Sequence, residues 1–82
     1  MPHPPLPYRP ASAREQLALS LRGMRAEREW SQEDLAAATG LDRSFIVHVE
    51  RSARNISIDN IEKLAIGLGV TIVELFQAQD PR

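Results

Sequence analysis

Arg43, Ser44, His48 and Arg51 lie close together in RSFIVHVER, a stretch that also carries Ile46 and Val49 three residues apart. On an α-helix the two aliphatic residues share one face and the polar set projects from the other. The polar face offers charge and hydrogen bonding. A guanidinium such as that of Arg43 can fork onto guanine O6 and N7, worth about 1–3 kcal/mol of base discrimination. Ser44 can bond a base or a phosphate. His48 can do the same, and binds an anion better when protonated. Arg51, with Arg54 and Asn55 beyond it, is suited to clamping phosphates. Each also has a plainer reading as a solvated surface residue or, for Arg51, a surface ion pair. Catalytic chemistry is not indicated. The chain has no cysteine, no phosphate-cradling glycine loop and no H-x-x-x-H spacing; His3 and His48 stand apart, and Glu33 and Asp34 are adjacent and so diverge on a helix. Neither an enzyme, nor a metal site, nor a cofactor is expected.

Two short helical patterns must position this face. Gln32 to Thr39 follows Ser31 as N-cap, with Trp30 and Leu35 in the hydrophobic-staple arrangement. Leu35 and Ala36 point inward, and Glu33 and Asp34 suit the helix dipole. Gly40 ends that helix, with a positive φ expected. The second helix runs from Arg43 to about Arg51, capped by Asp42. Two helices joined by so tight a turn form a unit whose second helix can lie in a DNA major groove. Gln32, at a helix N-terminus, combines a side-chain amide with free backbone donors, a good phosphate anchor. Phe45 either packs half-buried or lays its edge on sugar and thymine methyl groups.

The flanking chain supplies three more helices. Ser12 and Glu15 form a capping box opening a helix that ends near Arg28 or Glu29, with Leu17, Leu21 and Met24 inward. After a loop over Ser52–Ile56, a helix starts beyond Ser57 and buries Ile58, Ile61, Leu64, Ala65 and Leu68 before Gly69 stops it. Thr71 and Glu74 form a second capping box, opening a short helix with Ile72, Leu75 and Phe76 inward. Ile66 and Val73, with Ile72 and Phe76 nearby, form an apolar patch. A two-fold contact there would set two recognition helices about 34 Å apart, one DNA turn; single exposed aliphatics otherwise need no explanation.

The fold class is therefore all-α, five helices in one small domain over residues 12–79. Residues 1–11 carry five prolines (Pro2, Pro4, Pro5, Pro7, Pro10) and read as an extended arm. That arm is a solvated tail, a segment using Arg9 or Tyr8 on DNA or a partner subunit, or, least favoured, a ligand for a proline-recognition domain. At 82 residues, 43% hydrophobic with four aromatics, aliphatic side chains must fill the core. The net charge of −1 counts against nucleic-acid binding, yet nine of ten basic residues are arginine, so a polarised surface is expected. Glu15, Glu27, Glu29, Glu33, Asp59, Glu62 and Glu74 could sit on faces away from DNA. No apolar run approaches the roughly 20 residues that span a membrane. A cytoplasmic protein with no membrane partner is expected.

Over about Leu17 to Phe76 the chain resembles the Cro and phage-repressor type of helix-turn-helix domain, the Xre family. The residues that carry the likeness are Arg25, WSQEDLA, Gly40-Leu41, Ile46, Val49-Glu50 and EKLAIGLGVTIVELF. LDRSFIVHVERSARNISIDNIEKLA is most similar to the controller proteins of restriction–modification systems. The resemblance implies a compact phage-repressor-like fold that binds palindromic double-stranded DNA as a homodimer. It implies a phosphate grip at Gln32, base-edge contacts at Arg43, Ser44 and His48 with Asp42 and Val47 beside them, and a buried salt bridge between Arg25 and Glu50. His48 departs from the small or uncharged residue common at its position. Ser52 and Ala53 replace a frequent glycine-containing turn, and Ile66 and Val73 are apolar where many relatives are polar.

The function expected is sequence-specific transcriptional regulation from an operator, with activation or repression set by its position relative to the promoter. Two alternatives stay open: the DNA-binding antitoxin of a toxin–antitoxin pair, and a protein-interaction module without DNA binding. A toxin or RNA polymerase contact belongs to these possibilities.

Overall fold

The computed structural model describes residues 12–52 and 55–77. Among them are five α-helices and no strand: α1 Ala13–Arg28, α2 Gln32–Thr39, α3 Arg43–Glu50, α4 Ile58–Leu68 and α5 Ile72–Leu75. The all-α, five-helix reading of the sequence holds. The Pro-rich residues 1–11, Arg54 and the expected domain edge at 79 lie outside the described residues.

Local chemistry sets where each helix begins. The Ser12 amide donates to Glu15 Oε1 at 2.8 Å while the Glu15 amide donates to Ser12 Oγ at 3.2 Å. Thr71 and Glu74 repeat this exchange at α5, at 2.8 and 3.0 Å. Ser31 does the same with Asp34 at 2.8 and 3.0 Å, an aspartate where glutamate is usual. At α4, Ser57 Oγ accepts from the Asn60 amide at 3.1 Å. Asp42 is different. It occupies the N-cap of α3 with extended backbone, but its carboxylate makes no capping hydrogen bond. The expectation of a capping Asp42 is met in position and not in bonding.

Gly40 and Gly69 end α2 and α4 in the left-handed region, at φ 75° and 72°. Glu29 ends α1 in the same region at φ 57°, where a Cβ is unfavourable.

One core joins all five helices. Leu17 and Leu21 of α1, Leu35 of α2, Ile46 and Val49 of α3, Ile61, Leu64 and Leu68 of α4, and Leu75 of α5 are buried together. α1 packs on α3 and α5; α2 packs between α3 and α4. Two expected core residues are not there. Ile58 is 68% exposed. Ile56, just ahead of the Ser57 cap, packs on the core instead, in the staple position relative to Ile61. Ile72 is also exposed, because Leu75 takes the buried place in so short a helix.

Gly67 sets the approach of α2 to α4. A Cβ there would lie 2.6 Å from Thr39 Cγ2 and 2.8 Å from the Ala38 carbonyl oxygen. Arg28 completes the frame by donating from Nη2 to the Leu68 carbonyl at 2.9 Å, which ties the end of α1 to the end of α4.

Candidate nucleic-acid interface

The candidate surface is built on α2, the Gly40 turn and α3. Thr39 fixes the turn: its Oγ1 donates to the Leu35 carbonyl at 2.8 Å and accepts from the Leu41 amide at 3.3 Å. α3 then buries Ile46, Val49 and Glu50, and Phe45 packs half-buried on the core. The residues left on the outside are Asp42, Arg43 and Ser44, all exposed, with Val47 and His48 half-buried beside them. Arg51, exposed, is the C-cap residue of α3.

Behind this face sits an ionic node. Glu50 is 3% exposed. Its carboxylate accepts from Arg25 Nε at 2.6 Å and Arg25 Nη2 at 2.8 Å, a two-pronged pair. Arg25 Nη1 also donates to the Trp30 carbonyl at 2.9 Å. The hydrogen bond to Glu50 holds the Arg25 pKa above its ordinary value despite the opposing effect of burial. Glu50 accepts a third bond, from Gln32 Nε2 at 3.1 Å, and its backbone carbonyl accepts from Arg22 Nη1 at 2.6 Å. One carboxylate thus links α1, α2 and α3. Gln32 is half-buried, with its amide held by Glu50 at the start of α2.

Other residues are placed less simply. Asn55 Oδ1 accepts from Arg14 Nη2, which joins the segment after α3 to the first turn of α1. Asn55 therefore sits beside α1, and Arg54 lies outside the described residues. Ser52 takes φ 57°, a left-handed turn made without glycine. Glu33 does not face away from this surface as the sequence suggested: its Oε2 is 3.9 Å from Arg43 Nε. The sequence also gave no notice of the Gln32–Glu50 and Arg22–Glu50 links. No spacing rule signals a bond between residues 18 or 28 positions apart.

Among the described residues no group of three or more His, Cys, Asp or Glu side chains could hold a metal ion. None of the described helices is long and apolar enough to cross a membrane.

Comparison with known proteins agrees with this architecture. The family model described as "Helix-turn-helix" matches residues 21–75. A hypothetical transcription factor of Neisseria meningitidis is 48% identical over 59 residues, covering 72% of this chain and 56% of that protein. The chain thus spans little more than half the length of this curated relative. The crystal structure of a hypothetical transcription factor from Neisseria superposes with a TM-score of 0.79 at 42% identity, covering 90% of this chain and 88% of that one. The restriction–modification controller C.AhdI of Aeromonas hydrophila gives 0.73 at 44% identity, covering 77% and 96%. The controller C.Esp1396I, solved as a tetramer with its natural 35-base-pair operator, gives 0.73 at 33% identity, covering 82% and 88%. With its fold, its turn and its matches in agreement, the chain belongs to the Xre, or Cro-like, family of helix-turn-helix proteins, among relatives that include restriction–modification controllers.

Proposed function

We propose that this protein is a sequence-specific DNA-binding transcriptional regulator that acts as a homodimer on a palindromic operator, in the manner of a restriction–modification controller. The observation that carries the reading is the division of α3. Its inner face is locked by Ile46, Val49 and the Glu50 node, while Arg43 and Ser44 stand exposed with His48 and Arg51 beside them. A rigid helix presenting a guanidinium and a hydroxyl at its N-terminal end suits entry into the major groove. Gln32, at the start of α2, would grip a phosphate with the amide hydrogen that Glu50 does not take. Arg51, Arg54 and Asn55 would add backbone contacts at the edge, with Asp42 and Val47 bordering the base contacts.

The homodimer reading draws on the apolar surface of α4 and α5. Ile66 and Val73 are 73% and 70% exposed, Ile72 is exposed, and Phe76 is half-buried against the core. Association through such a patch would pair two recognition helices about one DNA turn, ~34 Å, apart. The resemblance to a controller crystallised on its operator favours DNA as the ligand.

The test is a gel shift against the DNA flanking the protein's own gene, repeated over a range of salt. The expected result is a retarded complex whose log–log affinity falls with salt by about 0.9 per phosphate neutralised. Absence of any salt-sensitive complex on that DNA or on a random-sequence library would overturn the reading.

A further inference from the structure

The acidic residue beside Arg43 has no part in the contacts proposed above. Glu33 lies in the first turn of α2, next to Gln32, and is exposed. Its carboxylate approaches Arg43 through one pair of atoms, Oε2 and Nε, at 3.9 Å. That is an ion pair too long for a hydrogen bond. Asp42, directly before Arg43 in the chain, is exposed and leaves its carboxylate out of the helix cap. The guanidinium best placed to read a base is therefore set in acidic surroundings, on a chain whose net charge is already −1.

This arrangement changes what Arg43 gains from different partners. Any duplex offers it phosphates, and a phosphate contact raises affinity for every sequence alike by releasing a counterion. An arginine already beside a carboxylate gains less from a lone phosphate oxygen, because one anion replaces another. Guanine is a different partner. Its O6 and N7 accept two parallel hydrogen bonds, a fork that the single long contact to Glu33 does not supply. Glu33 thus competes with a phosphate met through a single oxygen, and less with a base edge that offers the full fork.

We propose that Glu33 is a specificity-determining residue: it withholds Arg43 from the phosphates of non-cognate DNA and releases it to a base, without making a base contact of its own. This rests on the DNA-binding reading above. Glu33 acts here through Arg43, and its own charge near the duplex is secondary.

The test uses the full chain as wild type, Glu33→Gln, Arg43→Ala and the double variant. Binding is measured by fluorescence anisotropy on two duplexes: one enriched by the wild-type protein from a random-sequence library, and one of scrambled sequence and equal composition. Glu33 is exposed, so the glutamine variant keeps the fold. Glu33→Gln is expected to tighten binding to the scrambled duplex about 5-fold and to the enriched duplex less than about 2-fold. Its log–log salt slope on the scrambled duplex should steepen by about 0.9, the mark of one added phosphate contact. In the Arg43→Ala background the gain should vanish. Equal gains on both duplexes, a gain that persists without Arg43, or no gain at all would overturn the role of Glu33. Wild-type protein that enriches no sequence and binds neither duplex would instead overturn the DNA-binding reading, and this inference with it.

Discussion

Glu50 shows how much one side chain can organise. It is buried, accepts three side-chain hydrogen bonds and holds α3 to both of its neighbours. Removing Arg25 would leave that carboxylate without its main partner. Arg25→Ala is expected to lower stability by about 3 kcal/mol, the low end of the usual range for a broken buried pair, because Arg25 itself keeps some solvent contact. Urea unfolding reads this directly; a loss under about 1 kcal/mol would mean that the pair behaves as a surface contact. Backbone strain makes a second residue-level expectation. Glu29 and Ser52 both adopt the left-handed region at φ 57°. Glu29→Gly should stabilise the protein by about 0.5–1 kcal/mol by removing the Cβ penalty there.

At the scale of elements, the helix starts were the most legible part of the sequence. Ser12–Glu15 and Thr71–Glu74 are local rules, complete within four residues, and both boxes form. The inward residues of α1 and α3 followed equally from spacing, since Leu17, Leu21, Ile46 and Val49 are all buried. Periodicity failed at the edges. Ile58 and Ile72 each stand first in a helix, where a stripe extrapolated from the helix interior has no neighbour to meet. Ile56 lies before its helix and outside the stripe, yet packs on the core. The Glu50 node and the Glu33–Arg43 contact were illegible because they depend on how α2 crosses α3, which is a tertiary fact. Gly67 belongs to the same group. Nothing in IEKLAIGLG shows that the glycine admits α2, but an added methyl would meet the Ala38 carbonyl at 2.8 Å. Gly67→Ala should therefore cost about 1–3 kcal/mol, although alanine is the better helix former by about 1 kcal/mol. A thermal melt showing stabilisation would mean that α2 does not pack so closely.

For the whole molecule, the arrangement places two surfaces on different elements: polar and cationic on α3, apolar on α4 and α5. A palindromic site needs both, since two-fold symmetric DNA is matched by a two-fold pair of subunits. Val73→Glu puts a charge on a residue 70% exposed in the single chain and should leave the fold intact while yielding a monomer. Sedimentation at micromolar concentration checks this; a dimer unchanged by the substitution would move the interface elsewhere. The overall charge of −1 belongs at this scale as well. Weak general attraction to DNA would leave more of the binding to the contacts proposed for α3.

The most direct measurement is the base preference of Arg43→Ala beside that of Gln32→Ala, each read against a set of single-base variants of the enriched site. Arg43→Ala is expected to lose about 1–3 kcal/mol of discrimination at one base pair in each half-site, while Gln32→Ala should weaken every sequence alike. If Arg43→Ala ranks and binds those sequences as the wild type does, α3 does not read DNA.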